Sequence, residues 1–143
     1  MVSIPLDCRI KAGRQRILEN ERLAQEKRDA EALKKAIILT SGYSVEGYRI
    51  VEYRDFISSE AALGLGAIKA ILGGFADFFG TESEALTTKL QEGREVVKER
   101  IKNKAFALKC NAIIGLDIDI TMFGESILGI YANGTAVVIE PIE

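Results

Sequence analysis

The chain has 143 residues, 48% hydrophobic and 28% charged, a balance that allows a buried core and excludes a wholly disordered polymer. Its net charge of −2 and pI near 5.4 supply no global positive field toward nucleic acid. It contains no histidine, which excludes Ser/His/Asp and Cys/His nucleophilic sites, a histidine general base and any His-ligated metal.

The length suits one domain plus a tail. The N-terminus turns charged too early for a signal-peptide core, and the longest apolar stretch, residues 61–76, is broken by Lys69 and four glycines. The expectation is a soluble cytoplasmic protein that binds neither membrane nor nucleic acid. Cys8 and Cys110 form no CxxC motif, and their scarcity suits a reducing compartment.

In chain order, residues 11–35 hold eight Lys/Arg and five Asp/Glu, and no Gly or Pro occurs from 14 to 41. Strong helix formers fill this stretch, with Leu23, Ala30 and Ile37 recurring every seven residues beside Ile17 and Leu33. The pattern predicts a long polar helix with a thin apolar seam. Such a helix lies solvated on its own domain, packs on a neighbouring subunit or docks a partner. Residues 37–40 read as a short β-branched run, and residues 48–57 as a strand partly covered on both faces, ending near Ser58-Ser59.

Residues 60–80 form an Ala/Leu/Gly segment whose Ile68, Ile71, Leu72, Phe75, Phe78 and Phe79 recur at helical spacing. Residues 84–109 give the clearest helix, with Leu86, Leu90, Gly93, Val97, Ile101, Ala105 and Leu108 along one stripe. Its length would be roughly 39 Å at the helical rise. Ser83 or Thr81 suits its cap, and Asn111 the left-handed position after its end. Next, Leu116, Ile118, Ile120 and Met122 alternate with Asp117, Asp119 and Thr121 in the sharpest strand signal of the chain. A final strand over 127–139 is interrupted at Asn133-Gly134, where a bulge is favoured over a turn. Strands flanking helices without regular alternation predict an α+β fold. A small mixed or antiparallel sheet would pack with a long amphipathic helix and a Gly/Ala-rich helix, behind a helical N-terminal tail. The division is residues 1–35 for the tail and 36–143 for the domain.

Asp117 and Asp119 are the leading polar pair, two carboxylates on one strand face roughly 6.6 Å apart at the strand rise. They could bind a hard cation or act as acid and base; alternatively they pair with Arg49 or Arg54 across the sheet. Cys110 reads as a buried small hydrophobe or a soft-metal ligand. Lys69, alone in an apolar segment, snorkels to the surface or neutralises an anion in a cleft. Glu60 reads as a first-turn residue favoured by the helix dipole, or as a ligand contact. Gly64-Leu65-Gly66 lacks the context of a dinucleotide fingerprint, and no cofactor is expected.

Four passages stand together: Ile50-Val51-Glu52-Tyr53, residues 59–64, residues 111–119 with their D-I-D, and residues 133–137. Through them the chain resembles the YbjQ-like family, bacterial proteins of unknown activity often labelled heavy-metal-binding. The resemblance covers roughly residues 36–139, and the D-I-D passage is its most specific part. It implies a small α+β subunit that assembles into a ring, typically a pentamer, with sheet elements shared around it. A heavy-metal site here would have to be built from Cys110, Asp117 and Asp119. The favoured expectation is a non-enzymatic homo-oligomer holding a small molecule or ion between subunits, through Glu60, Lys69, Asp117 and Asp119. A metal-handling protein and an adaptor docking through its N-terminal helix are the alternatives. Catalysis is the weakest class, because no nucleophile–base pair or cofactor loop can be assembled.

Overall fold

A computed structural model describes residues 3–64, 84–123 and 127–143, with the side chains of 84–86 excepted. The chain divides into two compact units, Met1–Ala36 and Ile37–Glu143. The first unit is one helix, α1 (Leu6–Lys35), whose Pro5 sits just before the first turn. Asp7 lies in its first turn and Lys34 and Lys35 in its last, each complementing the helix dipole. The helix starts earlier than the Gly-free run and passes through Gly13, because the flanking residues are strong helix formers. No α1 residue is buried, and Ile37, expected on its seam, instead belongs to the core of the second unit.

The second unit is α+β. Its strands are β1 (Ile38–Leu39), β2 (Tyr48–Gly64), β3 (Ala112–Phe123) and β4 (Ile127–Pro141), with α2 (Glu84–Ala107) between β2 and β3. They form one mixed sheet in the order β1-β3-β4-β2. β1 pairs parallel with β3, while β4 pairs antiparallel with both β3 and β2. The stripe expected on α2 is the one that packs: Val97, Ile101 and Ala105 are fully buried against Ile57, Ile113, Ile130, Ala132 and Ala136. Gly93 lets the helix approach β4 closely, since a Cβ there would fall 2.3 Å from Ile130 Cδ1. A second, smaller cluster of Ala112, Ile114, Val137 and Ile139 lies with Ile38, Val45 and Ile50.

Four expectations change. β2 does not stop near Ser59; it continues through Gly64, so Glu60 is a strand residue and not a first-turn residue of a helix. The helical propensity of Ala61-Ala62-Leu63 yields to pairing with Gly129, Leu128 and Ile130 on β4. Residues 51–56 are exposed, so the first half of β2 is barer than a strand covered on both faces. The left-handed residue after α2 is Lys109 (φ 59°), not Asn111. Finally, β4 runs unbroken through Asn133-Gly134. The irregularities sit on its partners, between Ile50 and Glu52 and between Tyr53 and Asp55 on β2, and between Ile114 and Asp117 on β3. The β3 bulge uses Gly115 at φ 59°, and it presses so close to β4 that a Cβ on Gly134 would lie 2.6 Å from Ile113 Cγ2. The remainder of the Gly/Ala-rich segment, residues 65–83, and the caps Thr81 and Ser83 lie outside the described residues.

Candidate functional site

Residues directly opposite in an antiparallel sheet share a face. Two rows therefore cross the three long strands: Glu60, Tyr131 and Asp119 in one, Ser58, Asn133 and Asp117 in the next. They alternate with Ser59, Ala61, Ile130 and Ala132, which pack under α2, so both rows point to the opposite face of the sheet. Glu60, Asp117 and Asp119 are exposed, Tyr131 and Asn133 half-buried. Phe123 packs edge-on against Tyr131, with ring centroids 6.1 Å apart at 70°.

The structure thus gathers Glu60, Asp117 and Asp119 on one open face but keeps them apart. β4 lies between Glu60 and Asp119, so their strands are roughly 9.6 Å apart at the ordinary strand spacing. Cross-strand pairing of the aspartates with Arg49 or Arg54 does not occur, because β3 adjoins β4 and not β2. Arg49 instead meets Glu140 directly across β4 at 3.1 Å. Arg54 bonds Glu52 at 3.1 Å and donates to the Leu108 carbonyl, satisfying a carbonyl just past the end of α2. Its guanidinium pKa is raised, first by the hydrogen bond to Glu52.

Cys110 lies elsewhere. Its thiol is buried in the cluster under α2, 3.8 Å from the Leu108 carbonyl, while the aspartates face away from that cluster. Burial pushes the Cys110 thiol pKa up, the nearby Arg54 opposing and Glu52 adding to the shift. A neutral thiol is a poor soft-metal ligand and a poor nucleophile. Among the described residues no group of three or more His, Cys, Asp or Glu side chains is placed to hold a metal ion. The arrangement suits hydrogen bonding and electrostatic attraction to a hydrated cation or polar group, rather than tight coordination. Lys69 lies outside the described residues.

Two features were not anticipated. Tyr131 and Asn133 complete the rows, and the alternation of Leu128, Ile130 and Ala132 with Gly129, Tyr131 and Asn133 carried that information. The other is a recess of about 350 Å³ lined by Ser59, Glu60, Arg100, Asn103 and Lys104. Arg100 donates there to the Glu60 carbonyl and Lys104 to the Ser58 carbonyl, tethering α2 to β2. No helix among the described residues is long and apolar enough to cross a membrane.

Comparison with known proteins agrees with this architecture. Over 106 residues the chain is 40% identical to a UPF0145 protein of Clostridium kluyveri, covering 73% of this chain and all of that protein. A UPF0145 protein of Pseudomonas fluorescens is 36% identical over 103 residues, covering 71% of this chain and 97% of the relative. A crystal structure from Pediococcus pentosaceus, of a protein of unknown function in the DUF74 family, shares the fold. It superposes with a TM-score of 0.51 at 19% identity, over 73% of this chain and 98% of that one. Residues 37–140 match the model of the YbjQ family, whose description reads "Putative heavy-metal-binding". The second unit and the matched span coincide almost residue for residue, and the chain belongs to the YbjQ family.

Proposed function

We propose that the protein is a non-enzymatic homo-oligomeric binding module, a ring with five copies as the expected number, that holds a small molecule or ion in clefts between subunits. One observation carries this reading. At the far end of the carboxylate face Phe123 and Ile127 are 50% and 44% exposed, directly opposite each other across β3 and β4 and beside the half-buried Tyr131. Contiguous apolar surface of this kind is buried by association in stable assemblies. The carboxylates of Glu60, Asp117 and Asp119 lie on the same sheet, so a cleft closed by a second copy would carry negative charge and favour a cation or a polyol.

Light scattering at micromolar concentration tests the premise. The expected mass is a multiple of 15.7 kDa, five-fold for the pentamer; a lone 15.7 kDa particle overturns the reading.

The family description favours a second reading, a metal-handling protein in which Asp117 and Asp119 on one face and Cys110 on the other would bind separately. Titration of the purified protein with divalent and soft cations separates the two: tight stoichiometric binding lost in Cys110→Ala supports metal handling. No tight stoichiometric binding of any of them ends it.

A further inference from the structure

The two edges of the sheet differ in a way that points to a contact between copies. On the β2 edge, the Ser58 and Glu60 carbonyls are taken by Lys104 and Arg100, and two register shifts kink the strand. Charged side chains and bulges at an edge are devices that prevent another strand from adding there. On the other edge, β1 covers only Ala112 and Ile113, and the Leu116 N–H reaches back to the Thr40 carbonyl.

Leu116 therefore turns its backbone groups outward, and by alternation so do Ile118, Ile120 and Met122. The β2 edge gives the same parity. Ser58 and Glu60 turn away from β4 and sit opposite Asn133 and Tyr131, whose partners on β3 are Asp117 and Asp119. Those aspartates face β4 through their backbones, which leaves the residues between them to face out. Beyond Leu116, nothing among the described residues pairs with this side of β3, and no bulge follows Gly115 along it.

We propose that the outer edge of β3, residues 117–123, pairs antiparallel with the same edge of a second copy, centred on Ile120. Charge selects the register. Centring on Ile118 places Asp117 against Asp119 twice, and centring on Asp119 places it against itself; like charges directly opposite are destabilising. Centring on Ile120 sets Asp119 against Thr121 and Asp117 against Phe123. On the other face it sets Ile118 against Met122 and Ile120 against itself, covering side chains that are half-exposed in the single chain. Centring on Thr121 also avoids like charges but shortens the overlap. The contact is two-fold, so it goes beyond the ring reading, which needs a head-to-tail contact elsewhere.

Cysteine cross-linking in a Cys8→Ser background tests it, since Cys8 is exposed and Cys110 buried. In the proposed register the two Ile120 Cα atoms lie about 5.5 Å apart, within disulfide reach. Two Asp119 or two Thr121 Cα atoms lie about 8 Å apart, outside it. Mild oxidation should convert Ile120→Cys to a covalent dimer on a non-reducing gel and leave Asp119→Cys and Thr121→Cys largely monomeric. Adding Met122→Pro to Ile120→Cys should abolish the cross-link with circular dichroism unchanged, because the lost N–H faces outward. No cross-link from Ile120→Cys, or a stronger one from Asp119→Cys or Thr121→Cys, overturns the proposal. A five-fold mass without the Ile120→Cys cross-link would leave the ring standing and this contact fallen; a cross-linked dimer as the largest species would do the reverse.

Discussion

The carboxamide of Asn111 donates to the Ile139 carbonyl at 2.9 Å and accepts from the Ile139 N–H at 2.7 Å, so a side chain extends the β3–β4 ladder by one rung. Its own backbone carbonyl meanwhile accepts from Ile38 N–H, and its N–H reaches the Val137 carbonyl. Asn111→Ala removes two bonds and leaves partly buried backbone groups unpaired. It should cost about 2 kcal/mol, read as a lower midpoint in urea unfolding, at roughly 1 kcal/mol per hydrogen bond. Asn111→Asp should cost more, because a carboxylate cannot donate to a carbonyl. Sequence alone suggested an Asn at a helix end. That Lys109 takes the left-handed position, and frees Asn111 for the sheet, depends on a strand arriving from the far end of the chain. Cys110 carries a pH signature. Its folded pKa is raised by burial, so the native state holds that proton more tightly than the unfolded chain does. Stability from this group is intact through neutral pH and falls as pH climbs above the ordinary thiol range of about 8.5. Unfolding followed from pH 7 to 10 should show an alkaline decline that is smaller in Cys110→Ala, and alkylation should strike Cys8 well before Cys110.

Among elements, α2 and β3 were the most legible, because a stripe of apolar residues at spacings of three and four, or strict alternation, reports one covered face. β2 was legible only over its aromatic and β-branched half. Its second half, Ala61-Ala62-Leu63-Gly64, has no strand propensity of its own and is held by β4 and by the tethers from α2. Ser59 strengthens that tie with a buried 2.7 Å bond to the Val97 carbonyl. The bulges were hidden for a related reason. A Gly in β4 marks a close approach, and the extra residues it accommodates are on the neighbouring strand. Gly134→Ala should push against Ile113 and the β3 bulge and cost about 1–3 kcal/mol, in the range of overpacked cores. Gly13→Ala, with open space around it on α1, should instead stabilise that helix by about 1 kcal/mol. Thermal melts monitored by circular dichroism compare the two.

At the scale of the molecule, the two units differ in kind. The second unit has two apolar clusters, and among the described residues no buried side-chain nitrogen or oxygen lacks a partner. α1 has none of this: Leu6, Leu18 and Leu33 are each more than 60% exposed, and its ion pairs, such as Asp7–Lys11 and Arg22–Glu26, are solvent-facing. Exposed pairs contribute little, typically about 0.2–1 kcal/mol each. Of the seven-residue seam suggested by the sequence, Leu23 and Ala30 therefore fill no core, and Ile37, beyond the end of α1, belongs to the second unit's. Deleting residues 1–35 should remove helical signal while leaving the melting temperature of the remaining unit within a few degrees of the full chain. A protein captured by the full chain and lost from the truncated one would assign α1 to a partner; equal capture by both would count against that role. The carboxylate face was legible as residue types and as alternation. Its division into three strands was not, since strand order is a property of the whole sheet.

The parallel pairing of Ile38 and Leu39 with Ala112 and Ile113 ties the second unit's first strand to one near its C-terminal end. During synthesis the long charged helix and β1 leave the ribosome well before β3 exists, so Ile37 emerges with nothing to cover it. A nascent chain stalled before residue 112 should therefore be cleaved readily by protease around residues 36–40, and protection there should appear only once the last two strands have been made.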